Sequence, residues 1–207
     1  MQSFDKSLTR LRFSSRAAGL NQAKRIGVAL GPGFPMGLVD LGMLIALKQL
    51  KIHVYMISGT SMGAVIGSLY AAGMSPEVIR DGAIDLFAND GVMNLIMQDK
   101  QRDLRGLSKG EKLFAELKKI LGWDPEFYEL QIPLFVVAAD KNSQQSVILR
   151  HGKVFDAVRA SIAMPLVLEE KQMGGMQLAD GAIFSPLDTG ILYSERKAQR
   201  FCRAGGS

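Results

Sequence analysis

Gly59-Thr60-Ser61-Met62-Gly63 sets a serine two residues from a glycine on either side. An apolar run, Ile52 to Ile57, precedes it, and a small-residue run with helical character, Ala64 to Ala72, follows. A G-x-S-x-G turn between strand and helix is the setting of a nucleophile elbow. The turn is so tight that side chains at Gly59 and Gly63 would collide with backbone, and glycine removes the collision. The Ser61 hydroxyl is left exposed above a helix N-terminus, whose N–H groups can stabilise an oxyanion. The chemistry this suits is nucleophilic attack on a carbonyl. The alternative is a plain Gly/Ser turn of a βα unit, which uses the same residue types.

A serine nucleophile needs a base. Asp180, in Ala179-Asp180-Gly181-Ala182, follows a short predicted strand at Met176–Leu178 and can serve as one. The chain has two histidines. His53 begins the strand that leads to the elbow and so sits at its wrong end. His151, in a predicted turn at His151-Gly152, is the remaining option for a Ser-His-Asp triad. Asp140 ends a strongly apolar strand, Ile132–Asp140, and is expected to cap or orient a neighbouring loop. A glycine- and proline-rich loop, Gly31 to Gly37, follows a first strand at Arg25–Leu30 and offers backbone donors.

The elements that must position these residues alternate between strand and helix. Helical spacing marks Leu38–Leu50, Met62–Gly73, a helix opened by Ser75-Pro76-Glu77, and Val154–Ser161. Ser108–Leu121 also has helical spacing, with an S-x-x-E capping box from Ser108 to Glu111. Ser146–Leu149 reads as a short strand. Residues 84–105 are less regular and Met-rich, and read as a helix pair over the sheet or as an apolar flap. The alternation predicts a three-layer α/β/α fold with a mostly parallel central sheet. Functional residues are then expected at the carboxyl ends of its strands.

With 207 residues, 47% hydrophobic and 22% charged, the chain is sized for one domain with a substantial core. The expected organisation is a basic lead-in over residues 1–24, a catalytic domain over 25–190 and a polar basic tail over 191–207, read as mobile. The formal charge is +5. Part of it lies in Lys6, Arg10, Arg12, Arg16, Lys24 and Arg25, which suits peripheral contact with an anionic membrane. Basic residues are not interleaved with aromatics, so no nucleic-acid partner is expected. The single cysteine, Cys202, excludes a disulfide framework within the chain and a thiolate metal cluster. No apolar stretch reaches the ~20 residues of a membrane-spanning helix, and a cytoplasmic or peripheral protein is expected.

Taken in order, the blocks resemble the patatin-like phospholipase family, most closely the bacterial members related to the neuropathy-target-esterase catalytic domain. The resemblance runs from residue 25 to about 188. It covers Leu30-Gly31-x-Gly33…Gly37-Leu38 with Gly42 downstream, the elbow, and Arg105-Gly106-Leu107…Gly110-Glu111-Lys112-Leu113. It continues through Arg159-Ala160-Ser161-Ile162-Ala163-Met164-Pro165 and Asp180-Gly181-Ala182, with Ser185-Pro186 beyond. It implies a patatin-like fold and a Ser61–Asp180 dyad in place of a triad. Gly33, Phe34 and Met62 would form the oxyanion hole, with Gly31, Gly37, Gly59, Gly63 and Gly181 in support. It implies phospholipid, lysophospholipid or another acyl ester as substrate, and no metal or cofactor.

The chain departs from the family pattern in the glycine-rich loop. Where that loop usually reads G-G-G-x-R-G, this chain has Pro32-Gly33-Phe34-Pro35-Met36-Gly37. Met36 replaces the arginine, and two prolines remove two N–H donors. Asp40 stands where many members carry histidine. The family blocks stop at Ser185-Pro186, so the fold is expected to be truncated at its C-terminal side. A sheet edge would then be covered by residues 191–207 or by another subunit, which leaves a homo-oligomer open. Three functions fit: a serine lipid acyl hydrolase, an acyltransferase, and a weak or inactive patatin-like domain that binds lipid or a protein partner.

Overall fold

A computed structural model describes residues 26–33, 37–89, 91, 94–95 and 108–204. The basic lead-in, Phe34, Pro35 and Met36, Arg105-Gly106-Leu107 and much of the Met-rich segment lie outside the described residues.

Among the described residues, six strands make one mixed sheet in the order β1-β2-β3-β6-β5, with β4 also paired to β3. Strands β1 (Ile26–Leu30), β2 (Val54–Thr60) and β3 (Leu134–Asp140) run parallel. Strands β4 (Gln145–Leu149) and β6 (Met176–Asp180) run antiparallel to β3. The short β5 (Lys171–Met173) is antiparallel to β6 and so shares the direction of the first three. The expected three-layer arrangement with a parallel core of strands is present, and antiparallel strands flank β3 on both edges.

Alternate side chains of β3 serve two cores, as a pleated strand requires. Leu134, Val136 and Ala138 join the larger core, where helices α1 (Leu38–Gln49), α2 (Met62–Ala71), α3 (Pro76–Asn89), α4 (Glu111–Leu121) and α5 (Val154–Ser161) contribute. Phe135 faces the smaller core with Met56 and Leu192. Helix α1 presents Leu41 and Leu44, three residues apart, to the larger core, as its periodicity predicts. Helix α2 is buried along nearly its whole length, from Gly63 to Leu69. A helix apolar on every side belongs inside a fold, and this one supports the elbow from beneath the sheet.

Three expectations need correction. The described part of the expected mobile tail is helical: helix α6 spans Gly190–Ala204. Its Ile191 and Leu192 dock on the sheet face, not along an edge, and Leu192 lies against Met56 and Phe135. Ser108 does not cap α4 through a capping box. Gly110 precedes that helix with a left-handed φ of 74° and no side-chain cap. Ser108 instead pairs with Leu168 as an isolated bridge, and its hydroxyl accepts from the Gly110 amide at 3.0 Å. Third, β6 is antiparallel, so the expected shared carboxyl edge does not explain where Asp180 lies.

Candidate active site

The register of β3 shows how two distant residues meet. Val136 pairs with Gly59 of β2 and with Leu149 of β4, so those strands occupy its two edges. Ala138 pairs with Val147 of β4 and with Asp180 of β6. Strand β6 therefore uses the same edge of β3 as β2. The last paired residue of β2 is Thr60, opposite Val137, and the last of β6 is Asp180, opposite Ala138. The two strands run toward each other along one edge and stop head to head, one register step apart. Ser61 follows Thr60 directly, and its hydroxyl donates to Asp180 Oδ2 at 2.8 Å.

The elbow at Ser61 is strained, as such turns are. Ser61 has φ 54° and ψ −118°, a region that non-glycine residues rarely occupy. The flanking glycines are there for close approach. A Cβ on Gly59 would lie 2.6 Å from the Gly63 carbonyl oxygen and 2.7 Å from Ala64 Cα. One on Gly63 would lie 2.3 Å from the Leu30 carbonyl oxygen. One on Gly181 would lie 2.3 Å from the Val137 carbonyl oxygen, so this glycine lets the Asp180 turn press against β3.

Asp180 is held on three sides. Its amide donates to the Ala163 carbonyl at 3.0 Å, and its Oδ1 accepts from the Ala182 amide at 2.9 Å. Oδ2 remains for Ser61. Burial raises its pKa above the usual carboxylate value of 3.8, against the opposing hydrogen bonds from Ala182 and Ser61. A raised pKa makes the carboxylate a stronger proton acceptor.

Of the expected oxyanion donors, Gly33 and Met62 are described. The Gly63 amide donates to the Gly31 carbonyl at 3.0 Å, which commits that amide and ties the glycine-rich loop to the elbow. The Gly37 amide closes the loop on the Gly33 carbonyl at 2.9 Å, with Gly33 at φ 126°. Gly37 leaves room for Met62, whose Cγ would lie 2.3 Å from a Cβ there. Met62 opens α2, where helix geometry provides no intrahelical acceptor for its N–H.

Neither histidine approaches the site. His53 is exposed ahead of β2, at the opposite end from Ser61, and His151 is exposed in the turn after β4. Asp140 orients a loop, as expected. Its carboxylate accepts from the Ser143 hydroxyl at 2.7 Å and from the amides of Asn142, Ser143 and Gln177, each at 3.2 Å. The Ser143 hydroxyl bond leads in holding its pKa below the usual value.

Sequence reasoning missed three supports. The Ser58 and Thr60 hydroxyls donate to the carbonyls of Asp188 and Ser185 at 2.5 and 3.2 Å, stitching the Ser185–Asp188 segment to β2. The Arg159 guanidinium donates to the carbonyls of Lys109 and Glu169, each at 2.7 Å, joining two loops. The Ser161 hydroxyl contacts the elbow backbone. Nothing in a lone serine or threonine signals such a role.

Asp40, near the base of the glycine-rich loop, has its pKa raised to about 6 by burial, partly offset by a hydrogen bond from Gly31. Folding favours the protonated form, so its stabilising contribution is complete below 3.8 and lost as pH rises through about 6. Asp40→Asn should therefore gain on the wild type in thermal stability between pH 4 and pH 7. A difference in Tm that stays constant over that range would contradict this.

Comparison with known proteins agrees with the fold. The family model described as Patatin-like phospholipase matches residues 28–193, a span that includes both Ser61 and Asp180. An uncharacterized NTE family protein of Mycobacterium tuberculosis is 32% identical over 169 residues, 81% of this chain and 45% of that protein. A putative patatin-like phospholipase domain-containing protein of Caenorhabditis elegans is 30% identical over 188 residues, 87% of this chain and 17% of that protein. The chain thus spans less than half the length of these relatives. VipD from Legionella pneumophila shares the fold, with a TM-score of 0.55 at 16% identity over 79% of this chain and 47% of VipD. The matched family span, the elbow and the ordered blocks converge on one conclusion: the chain belongs to the patatin-like phospholipase family.

Proposed function

We propose that this chain is a serine lipid acyl hydrolase working through a Ser61–Asp180 dyad. The observation that carries the reading is the 2.8 Å hydrogen bond from the Ser61 hydroxyl to a buried, pKa-raised carboxylate. Ser61 Oγ attacks the ester carbonyl carbon as its proton passes to Asp180 Oδ2. The oxyanion forms beside the Met62 N–H and the glycine-rich loop. Collapse expels the alcohol, which takes the proton from Asp180 and leaves an acyl-serine. Asp180 then accepts a proton from water, which attacks the acyl-serine, and returns that proton to Ser61 Oγ as the fatty acid leaves. A carboxylate is a weak base for an alcohol, so the rate rests on positioning and on oxyanion stabilisation.

A lipid substrate is supported by the loops beside the dyad. Met164 and Leu166 follow the segment that holds Asp180, and Ile183, Phe184 and Leu187 follow Asp180 itself. All five are exposed, Leu166 at 91%. Exposed apolar side chains on loops that lead into and out of a candidate site suit contact with an apolar partner. Leu166 is also held at a positive φ of 66°. Phospholipid or lysophospholipid presented at a membrane surface is the substrate class this favours. Among the described residues no helix is long and apolar enough to cross a membrane.

The test is labelling with a fluorophosphonate probe alongside hydrolysis of a lysophospholipid. Wild type should take the label and release fatty acid, and Ser61→Ala should do neither. Equal labelling of both would sink the assignment of Ser61. No labelling of either would favour a lipid- or protein-binding domain, the reading that the proline-containing Gly31–Gly37 loop supports.

A further inference from the structure

Strand β2 leaves β3 after Thr60, and β6 takes over the same edge only at Asp180. The Ser61 amide falls in the gap between them, where neither strand offers a ladder partner. A side chain fills that place. The Ser161 hydroxyl accepts from the Ser61 N–H at 2.8 Å and donates to the Val137 carbonyl at 2.6 Å. A hydroxyl is donor and acceptor at once, so this one serves as an inserted rung between the elbow and β3. Ser161 is fully buried at the end of α5, so no water competes for either bond. Two residues further on, the Ala163 carbonyl accepts the Asp180 amide at 3.0 Å.

One short segment, Ser161–Ala163, therefore grips the backbone of both members of the pair. We propose that Ser161 is a positioning residue whose hydroxyl fixes the strained Ser61 backbone, so that Oγ is held against Asp180 and aimed at the substrate carbonyl. The proposal rests on the dyad reading above. Its physical basis is the strain at Ser61, which persists only while surrounding contacts over-determine it. Without the rung, the Ser61 amide and the Val137 carbonyl each lose a buried partner. The turn can then relax, and Oγ moves away from the carboxylate. Misplacement by about 1 Å costs on the order of 10²-fold in rate.

Ser161→Ala and Ser161→Cys separate this role from a purely structural one. The thiol is a weak donor and acceptor of similar size, so it preserves part of the rung. We expect kcat to fall in the order wild type, Cys variant, Ala variant, by on the order of 10²-fold for alanine, with KM within about twofold. The fluorophosphonate labelling rate should fall in the same order. The acid limb of the pH–rate profile should move to higher pH in the Ala variant, because the Ser61 hydroxyl bond to Asp180 lowers that carboxyl's pKa. If Ser161→Ala does not fold, the Cys variant carries the test with the same readouts. A folded variant with wild-type kcat, labelling rate and acid limb, altered only in Tm, overturns the proposal. A wild-type chain that takes no label overturns the dyad reading and this proposal with it.

Discussion

Asp180→Asn should abolish ester hydrolysis without weakening the protein. The activity loss should be on the order of 10⁴-fold, because asparagine cannot accept the Ser61 proton at any working pH. The fold should tolerate the change. Asparagine has the same shape, and its carbonyl oxygen can keep the 2.9 Å bond from the Ala182 amide. Its amide can donate to Ser61 Oγ in place of the present acceptor contact.

The stability effect follows from the direction of the Asp180 shift. Folding raises this pKa, mainly through burial, so its stabilising contribution is complete below 3.8 and lost as pH rises through the folded value. The variant never ionises. Its Tm at pH 7 should equal or exceed that of wild type, and the margin should close as pH falls toward 3.8. Wild-type activity should fail on the acid side at a pH above 3.8, where Asp180 takes up its proton. Calorimetry and initial rates on the same preparations check both halves. Turnover within tenfold of wild type would falsify the dyad, and a Tm several degrees lower at pH 7 would make Asp180 chiefly structural.

Gly63→Ala should be among the most damaging substitutions outside Ser61 and Asp180. Its Cβ would lie 2.3 Å from the Leu30 carbonyl oxygen, 2.5 Å from the Leu30 carbonyl carbon and 2.7 Å from the Gly31 oxygen. All three are backbone atoms, so no rotamer change relieves the contact. Helix α2 would have to lift from β1, breaking the bond from the Gly63 amide to Gly31 and displacing the glycine-rich loop from Ser61. We expect a loss of roughly 3 kcal/mol or more in urea unfolding, at the upper end for overpacking. Gly42→Ala is the matched control. It adds the same methyl within α1, where a Cβ meets nothing within 4 Å. It should gain up to about 1 kcal/mol from helix propensity. A loss below about 1 kcal/mol for Gly63→Ala would contradict the close approach.

The sequence carried the elbow clearly, because the turn needs glycine at two fixed offsets from Ser61 and apolar runs on both sides. Strands β2 and β3 and helices α1, α2 and α5 were legible within a few residues for the same reason: their periodicity is strong. The route by which Asp180 reaches Ser61 was not legible. A parallel sheet was expected to bring both to one carboxyl edge, whereas β6 runs the other way and meets β2 end on. A signal for this existed in Gly174-Gly175, whose φ values of 58° and 79° turn β5 back into β6. A Gly-Gly pair between two short runs is a hairpin signature. Helix α6 was hidden because the apolar residues that dock it, Ile191 and Leu192, open an otherwise polar, basic stretch. The Ser108 motif misled because local spacing says nothing about Leu168, sixty residues on, which claims that segment as a β partner.

The head-on meeting of β2 and β6 has a consequence for when this chain becomes able to act. Ser61 and Asp180 are 119 residues apart in sequence, and β3 together with the Ser161–Ala163 segment aligns them. Bringing them together requires closing that whole loop, a non-local step that comes late in folding. A nascent chain that has built β1, α1, β2 and α2 already displays Ser61, but Asp180 has not arrived. Under the proposed dyad, such a chain would hold no active pair until the β5–β6 hairpin docks. The topology would then delay activity until the sheet is complete.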